Sequence, residues 1–325
     1  MSTGAGLAGH DEPWAEWRRA IAGPRMHHGW ILAGRRGIGK QHFALAAARM
    51  LVAEGGAVPQ PAGDHPDILL LRPLPATAED EKKRHEGKPY QTKRNISVDQ
   101  VRQMQGRLTT RPTLGPKRAI IIDAADDLET ASANALLKSL EEPPVGSFFM
   151  LVAHRLGRLL PTIRSRCRLL QFPSLSAAQV DAILRAEAPG ADAAQRAAAI
   201  ESAGGSPGMA LDFVELDLAP IHQLMREIAQ QGDRDFARRG RLAEAMGARP
   251  DRRRQLAAID LARSVATARL RTTTPAGHAA LADAHAQLVR LGAQAPTHNF
   301  DPGLLVMEIG GLLARMAMPT GAGHG

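Results

Sequence analysis

The sequence predicts an α/β fold, in which a phosphate-binding loop and a parallel sheet form a first domain and everything after it is helical. Three observations support this prediction. A glycine-rich loop follows a short apolar strand and opens a helix near the start of the chain. Apolar runs then alternate with amphipathic segments, a pattern typical of parallel sheets with right-handed crossovers and helices on both faces. From about residue 174 onward the hydrophobic periodicity is that of helices alone.

The glycine-rich loop matches the phosphate-binding pattern G-x-x-x-x-G-K-[ST] at Gly34, Gly39 and Lys40. Its glycines, Gly37 included, allow backbone conformations in which successive N–H groups point at a phosphate, and Lys40 adds a positive charge. The helix that follows would direct its positive N-terminal end at the same anion. The last position of the pattern normally supplies a hydroxyl ligand for Mg²⁺, and here it is Gln41, whose amide is a poor ligand for that ion. We therefore predict a loop of nucleotide-binding origin, the alternative being a purely structural turn.

The remaining elements of the first domain are marked by apolar runs and by helix-capping residues. Ser97 and Gln100 form a capping box at the start of one helix, and a proline pair ends another after residue 142. The charged segment 76–95 is poor in large apolar residues, and we expect it to be a solvated surface loop. Besides the helix after the glycine-rich loop, the sequence predicts strands at residues 30–33, 68–71, 118–123, 148–152 and 168–172, and helices at residues 12–22, 97–108 and 132–142.

The third predicted strand ends in Asp123, a further candidate site residue. In phosphate-loop proteins a buried strand of this kind lies beside the first strand, and its terminal aspartate reaches the metal. The next residue is usually a glutamate that polarises the attacking water, but here it is Ala124. Asp126 and Asp127 come too late in the chain to take its place. We therefore expect Asp123 to belong to a nucleotide site that has lost part of its hydrolytic apparatus.

Two helical parts follow the first domain. Ser176 and Gln179 form a second capping box, and helical patterns then continue to a glycine-rich stretch at residues 204–208. In the last third, apolar residues such as Leu256 and Ile259 repeat at spacings of three and four, which indicates an α-helical bundle that packs on itself or on partners. The predicted domain boundaries are 1–173, 174–215 and 216–325.

Charge and composition suggest a soluble protein with a polyanionic neighbour. The 325 residues carry a formal net charge of +8 and a pI of about 10.3. Aromatic residues make up only 3 %, so any contact with nucleic acid should be to phosphates rather than to stacked bases. The single cysteine, Cys167, excludes an internal disulfide and a zinc site built from two or more thiolates, and we expect no metal site. Residues 1–10 lack the features of a signal peptide and no apolar run approaches about 18 residues, so we expect a cytoplasmic protein without membrane contact.

Three motifs carry a resemblance to a known family. They are the segment from Met26 through the glycine-rich loop, residues 134–144 (NALLKSLEEPP) and residues 162–167 (TIRSRC). Over about residues 12–215 they resemble the subunits of bacterial clamp loaders of the AAA+ class. The resemblance implies an AAA+ core at 1–173, a small helical lid at 174–215 and a C-terminal helical collar at 216–325. It also implies a hetero-pentamer with the ATPase subunits and the delta subunit of the DNA polymerase III clamp loader, through which the chain would act on the sliding clamp and on primer-template DNA.

Several positions depart from the members of this family that hydrolyse ATP. Those members have threonine or serine in place of Gln41, glutamate in place of Ala124 and arginine in place of Gly208. His154 stands in the region where a threonine or asparagine usually senses the γ-phosphate. The zinc-binding cysteines of many relatives are missing from residues 52–63. The resemblance therefore implies a non-catalytic subunit that requires no cofactor, although its loop could still bind ATP or ADP without hydrolysis.

The TIRSRC motif is intact, and it contains Arg166. In this family the equivalent arginine resembles an arginine finger, which reaches into the ATP site of a neighbouring subunit and neutralises charge on the γ-phosphoryl group. The alternative is that Arg166 makes an ordinary surface ion pair. For the whole protein, the alternatives to a non-catalytic activating subunit are an active AAA+ ATPase and a free-standing nucleic-acid-binding protein.

Overall fold

The structure, a computed structural model, describes residues 9–88, 90–272, 278–294 and 301–317. The chain divides between Ser174 and Leu175 into two compact units. Most of the N-terminal segment considered for a signal peptide lies outside the described residues. None of the described helices combines the length and the hydropathy that a membrane-spanning helix requires.

The first unit is built on a five-stranded sheet in which every pairing is parallel. The strands are β1 (Gly29–Ala33), β2 (Ile68–Leu71), β3 (Arg118–Asp123), β4 (Ser147–Ala153) and β5 (Arg168–Gln171). They lie in the order β2-β3-β4-β1-β5. The expectation that the strand ending in Asp123 lies beside the first strand is wrong, because β4 pairs with both and separates them. The predicted α/β class with a parallel sheet is confirmed, and each predicted strand agrees with an observed one to within a residue at either end. Since all strands run in one direction, the loops after β1, β3 and β4 meet at one edge of the sheet.

Helices cover both faces of this sheet. They are α1 (Asp11–Ala22), α2 (Lys40–Ala53), α3 (Ala78–His85), α4 (Val98–Leu108), α5 (Thr130–Glu141) and α6 (Pro161–Arg164). One apolar core joins α1 and α2 to the sheet through Trp17, Trp30 and Phe43, and a second joins α4 and α5 to the opposite face. The predicted capping box at the start of α4 is present, because the Ser97 side chain accepts from the N–H of Gln100 and the Gln100 side chain accepts from the N–H of Ser97.

The charged segment 76–95 differs from the expectation of a surface loop, because it contains helix α3. The Thr77 hydroxyl oxygen caps this helix by accepting from the N–H of Asp80, and the Asp80 carboxylate accepts from the N–H of Gln91. An antiparallel bridge between Pro75 and Thr92 closes the base of the segment. Thr77 and Asp80 match the capping pattern [ST]-x-x-[DE], a local signal that favours a helix although the segment lacks apolar residues.

The second unit is helical throughout its described part. Its helices are α7 (Ala177–Glu187), α8 (Ala193–Ala203), α9 (Pro207–Glu215), α10 (Ala219–Gln231), α11 (Ala237–Met246), α12 (Arg252–Thr272), α13 (His278–Gln294) and α14 (Pro302–Arg315). The apolar face predicted for α12 is observed, since Ile259, Ala262 and Ala266 are fully buried. One hydrophobic cluster extends from Leu175 to Met316 and includes residues of the predicted lid and of the predicted collar. The separation of these two at residue 215 stays a prediction.

Candidate nucleotide loop and the arginine at the opposite edge

The loop after β1 has the backbone geometry that its glycines make possible. Gly37 (φ 74°) and Gly39 (φ 102°) are in the left-handed region, which residues with a Cβ rarely adopt. Gly34 donates its N–H to the carbonyl of Ala153 over 3.2 Å, which ties the start of the loop to the end of β4. A Cβ on Gly34 would lie 2.7 Å from the carbonyl oxygen of Phe172, so only glycine fits at this crossing. The three predicted glycines are therefore required by the fold of the loop itself.

Lys40 begins helix α2 and turns its side chain back over the loop. Its Nζ donates to the carbonyl oxygens of Gly34 and Arg35, each over 2.6 Å. The side chain is buried, and burial lowers the pKa of Lys40 to about 8, although the carboxylates of Asp126 and Asp123 oppose this shift. A phosphate bound in the loop would compete with two main-chain carbonyls for the ammonium group.

Asp126 is a residue of this site that the sequence pattern did not single out. A short 3-10 turn directly after β3 brings it back to the edge of the sheet, where it is 7 % exposed. Its Oδ1 accepts from the N–H of His154 over 2.9 Å, and its Oδ2 lies 3.7 Å from Nε of Arg155. Asp126 opposes the lowered pKa of Lys40 more strongly than Asp123 does. Because the turn, and not the spacing along the chain, sets this position, no sequence signal would have found it.

Burial dominates the ionisation of this cluster. The pKa of His154 is lowered to about 4, chiefly by burial and secondly by the nearby charge of Lys40. Burial raises the pKa of Asp127 to about 6, with a second contribution from the negative charge of Asp126. The pKa of Asp123 is also raised by burial, while Lys40 acts against that rise. His154 is therefore neutral at physiological pH, and among the described residues its Nδ1 has no hydrogen-bond partner.

At three positions the chain lacks the residue expected of an ATP-hydrolysing protein. Ala124 follows Asp123 and is 4 % exposed, so a buried methyl group stands at the position expected for a water-orienting carboxylate. Gln41 lies in the first turn of α2 and is half-buried. Gly208 lies in the first turn of α9, in the second unit. The structure thus gathers Lys40, Asp123 and the loop glycines at one site, together with Gln41.

Arg166 lies at the other end of the strands from the phosphate-binding loop, at the edge of the sheet where the strands begin. It precedes β5, while the phosphate-binding loop follows β1, and β5 pairs in parallel with β1. Its carbonyl oxygen would be 3.1 Å from a Cβ on Gly29, the first residue of β1. Since parallel strands rise about 3.3 Å per residue, the five residues of β1 separate Arg166 from its own loop by about 16 Å. The geometry does not combine Arg166 with the other predicted site residues.

The Arg166 guanidinium makes three contacts with described residues of the chain. One terminal nitrogen, Nη2, lies 2.8 Å from Oε1 of Glu141, the last residue of α5. The other, Nη1, donates to the carbonyl of Thr162 over 3.0 Å and to Oγ of Ser165 over 3.4 Å. The side chains of Arg166 and Glu141 are 35 % and 49 % exposed. Arg166 therefore does make the surface ion pair that was the alternative to a finger, and a third of its side chain faces solvent.

A model of the protein family described as DNA polymerase III, delta subunit, matches residues 9–176, which is more than half of the 325 residues. The chain belongs to this family. The match confirms the resemblance inferred from the three sequence motifs, all of which lie inside this range. Those motifs include both the glycine-rich loop and the segment that carries Arg166.

Curated relatives agree with the family assignment. The chain is 33 % identical over 169 residues to DNA polymerase III subunit delta' of Pseudomonas aeruginosa, which covers 48 % of this chain and 46 % of the relative. It is 32 % identical over 205 residues to the delta' subunit of Escherichia coli, covering 59 % and 56 %. It is 30 % identical over 223 residues to subunit gamma/tau of Mycobacterium tuberculosis, covering 66 % and 37 %. The chain spans about half the length of the curated relatives it matches.

Among solved structures, a DNA polymerase III gamma subunit-related protein of Thermotoga maritima has a TM-score of 0.44 and 18 % identity, covering 95 % of this chain and 100 % of that one. The RuvB Holliday junction branch migration motor of Thermotoga maritima has a TM-score of 0.43 and 18 % identity, covering 91 % and 87 %. Both TM-scores are below 0.5, and the fold assignment rests on the observed sheet and on the family match.

Proposed function

We propose that this protein is a non-catalytic subunit of a bacterial DNA polymerase III clamp loader, in which it supplies Arg166 as an arginine finger to the ATP site of a neighbouring ATPase subunit. The observation that carries the proposal is the position of Arg166. It lies at the edge of the sheet opposite its own phosphate-binding loop, and its guanidinium is partly exposed. An arginine so placed can serve a phosphate on another chain but not one in its own loop.

A non-catalytic role is supported by the chemistry of the chain's own loop. Ala124 offers no group to orient a water, and Gln41 offers no hydroxyl for Mg²⁺. Lys40 is already bonded to two carbonyls of the loop. The main-chain N–H groups of the loop remain suited to an anion, so the proposal allows ATP or ADP to bind without turnover.

The proposed partners follow from the family. They are the clamp-loader ATPase subunits and the delta subunit, in a hetero-pentamer held together through residues 216–325, with the sliding clamp and primer-template DNA engaged through the complex. Relatives named as DNA polymerase III subunits support this assignment. We propose a cytoplasmic location on the same grounds.

The test is ATP turnover by complexes reconstituted with the partner subunits, DNA and clamp, at equal assembly. Arg166→Ala should lower turnover, because an arginine finger contributes roughly 10³ to 10⁵ in rate at the single site that it serves. In a ring with several sites the loss in total turnover is partial. Arg166→Lys should restore little, since an ammonium cannot form the planar, bidentate fork.

The matched control is Arg164→Ala, which removes the same charge from an exposed position two residues earlier. It should leave turnover unchanged. Equal turnover by the wild-type and Arg166→Ala complexes would reduce Arg166 to a surface residue.

An active ATPase is the second candidate, and the chain alone distinguishes it. Purified protein should not hydrolyse ATP with Mg²⁺ present. Turnover at the rates usual for this class, abolished by Lys40→Met, would establish the active ATPase instead. Lys40→Met keeps much of the buried side-chain volume and removes only the ammonium group.

A further inference from the structure

Arg166 is held from two different helices, α5 and α6. Glu141 ends α5 and contacts Nη2, whereas the carbonyl of Thr162, in α6, accepts from Nη1. A guanidinium group is planar, so contacts at both terminal nitrogens determine the plane as well as the position of the group. The orientation of Arg166 is therefore set by the relative position of the two helix ends.

The first strand of the sheet keeps these two helix ends together. Nε2 of His28 lies 2.9 Å from the carbonyl oxygen of Leu140, and since a carbonyl only accepts, the ring donates this bond. Leu140 precedes Glu141 directly. The next residue, Gly29, packs against the chain at Arg166, because a Cβ there would lie 2.9 Å from Sγ of Cys167 and 3.1 Å from the carbonyl oxygen of Arg166. Two consecutive residues before and in β1 thus support the two partners of the ion pair.

The pair leaves part of the guanidinium available. An arginine side chain has five N–H donors, and the three contacts with described residues use at most three of them. At least two donors remain for an acceptor on another molecule, and an arginine fork matches the oxygens of a phosphate.

We propose that Glu141 is a positioning residue, which holds the Arg166 guanidinium in the orientation in which it reaches the phosphate of the neighbouring subunit; this rests on the proposed function. A long side chain loses much rotamer freedom when it is fixed, and here that loss precedes assembly. Reaction rates depend steeply on such placement, since an error of about 1 Å can cost roughly 10²-fold.

The carboxylate has a second, opposing effect, because it neutralises part of the positive charge that a finger brings to a phosphate. Glu141 is 49 % exposed, and solvent screens the charge of so exposed a group. The same exposure means that the pair contributes little to the stability of the fold. The orienting effect of Glu141 therefore outweighs its neutralising effect. Loss of Glu141 should change the activity that depends on Arg166 and should change the stability of the fold little.

The experiment uses complexes assembled from the full chain and its partner ATPase subunits. Size-exclusion chromatography establishes that the variants assemble equally, and kcat and KM for ATP are then measured. Glu141→Ala should lower kcat by roughly 10-fold at the site served by Arg166, with little change in KM for ATP. Glu141→Gln should retain most of the turnover, because its amide oxygen accepts the same hydrogen bond. Glu142→Ala is the matched control, since Glu142 is exposed and does not pair with Arg166 in the described part of the chain.

A double variant shows whether Glu141 acts through Arg166. Adding Glu141→Ala to Arg166→Ala should cause no further loss, as expected for two residues in one interaction. Additive losses would assign Glu141 a separate role and overturn the proposal. Wild-type turnover with Glu141→Ala, or increased turnover with both Glu141→Ala and Glu141→Gln, would overturn it as well.

The failure of this inference can be told from the failure of the proposed function. If Arg166→Ala lowers turnover and Glu141→Ala does not, only the positioning role is lost. If Arg166→Ala itself has no effect, the finger role is wrong. Should Glu141→Ala fail to assemble, Glu141→Asp replaces it, because its carboxylate is one methylene shorter and does not reach Arg166. Wild-type turnover with Glu141→Asp would again overturn the positioning role.

Discussion

The main-chain N–H of His154 donates a hydrogen bond of 2.9 Å to Oδ1 of Asp126, which joins the turn after β3 to the end of β4. Asp126 is 7 % exposed, and its charge also acts on Lys40 in the neighbouring loop. The Asp126 carboxylate thus links the ends of the adjacent strands β3 and β4, and its charge acts on the lysine of the phosphate-binding loop.

The first prediction concerns this carboxylate. Asp126→Ala should lower the free energy of unfolding by about 1–3 kcal/mol, because it leaves the N–H of His154 without its acceptor in a partly buried place. Asp126→Asn, which keeps an acceptor oxygen, should lose less. Urea unfolding of the full chain measures both. Glu129→Ala is the control, since Glu129 is exposed and makes no capping bond with its side chain; equal stability of Asp126→Ala and this control would contradict the prediction.

The second prediction concerns His154 and acid. Its pKa of about 4 in the folded protein is below the ordinary value of 6.5, so the unfolded chain takes up this proton first as the pH falls. The stability associated with the neutral ring is complete above pH 6.5 and is lost between about pH 6.5 and 4, by up to about 3 kcal/mol. As the pH falls through this window, the stability of His154→Gln relative to wild type should therefore increase. A stability difference that is constant from pH 7 to pH 4 would rule out a buried neutral His154.

The third prediction concerns Asp127 and has the opposite sign. Its pKa is raised from 3.8 to about 6, so the folded protein holds this proton more tightly than the unfolded chain. The associated stability is complete below pH 3.8 and is lost as the pH rises to about 6, again by up to about 3 kcal/mol. Asp127→Asn should be more stable than wild type at pH 7, and the difference should shrink toward pH 4. Unfolding curves at pH 7, 5.5 and 4 test this, with Asp99→Asn, at an exposed position, as control.

The fourth prediction concerns where the chain can be divided. Buried apolar residues between Leu175 and Met316 form one hydrophobic cluster, to which α7–α9 and α10–α14 both contribute. A fragment ending at residue 215 would expose the apolar faces of α7–α9 to water, whereas a fragment ending at residue 174 would not contain them. We expect the 1–174 fragment to unfold cooperatively and to elute as a monomer, and the 1–215 fragment to aggregate. Circular dichroism melting and size-exclusion chromatography compare the two, and a monomeric 1–215 fragment with intact helices would support a lid that folds apart from the collar.

The sequence by itself determined the fold class, the five strands, the glycine-rich loop and the family. These depend on local patterns: apolar runs, capping residues and contiguous motifs such as TIRSRC, each of which lies within a few residues along the chain. It also predicted Arg166 and Lys40 as site residues from their motifs, and both roles stay predictions. The helix at Ala78–His85 was within reach of the same reasoning through its capping pair, although the charged composition favoured a loop.

Only the tertiary structure decided which of these residues share a site. Arg166 and Lys40 lie at opposite edges of one sheet because parallel strands carry the start of β5 and the end of β1 to different sides. Glu141 meets Arg166, and Asp126 meets His154, through packing between elements that are separate along the chain. Such contacts depend on strand register and helix placement, which arise from the burial of whole apolar faces, and no local spacing encodes them.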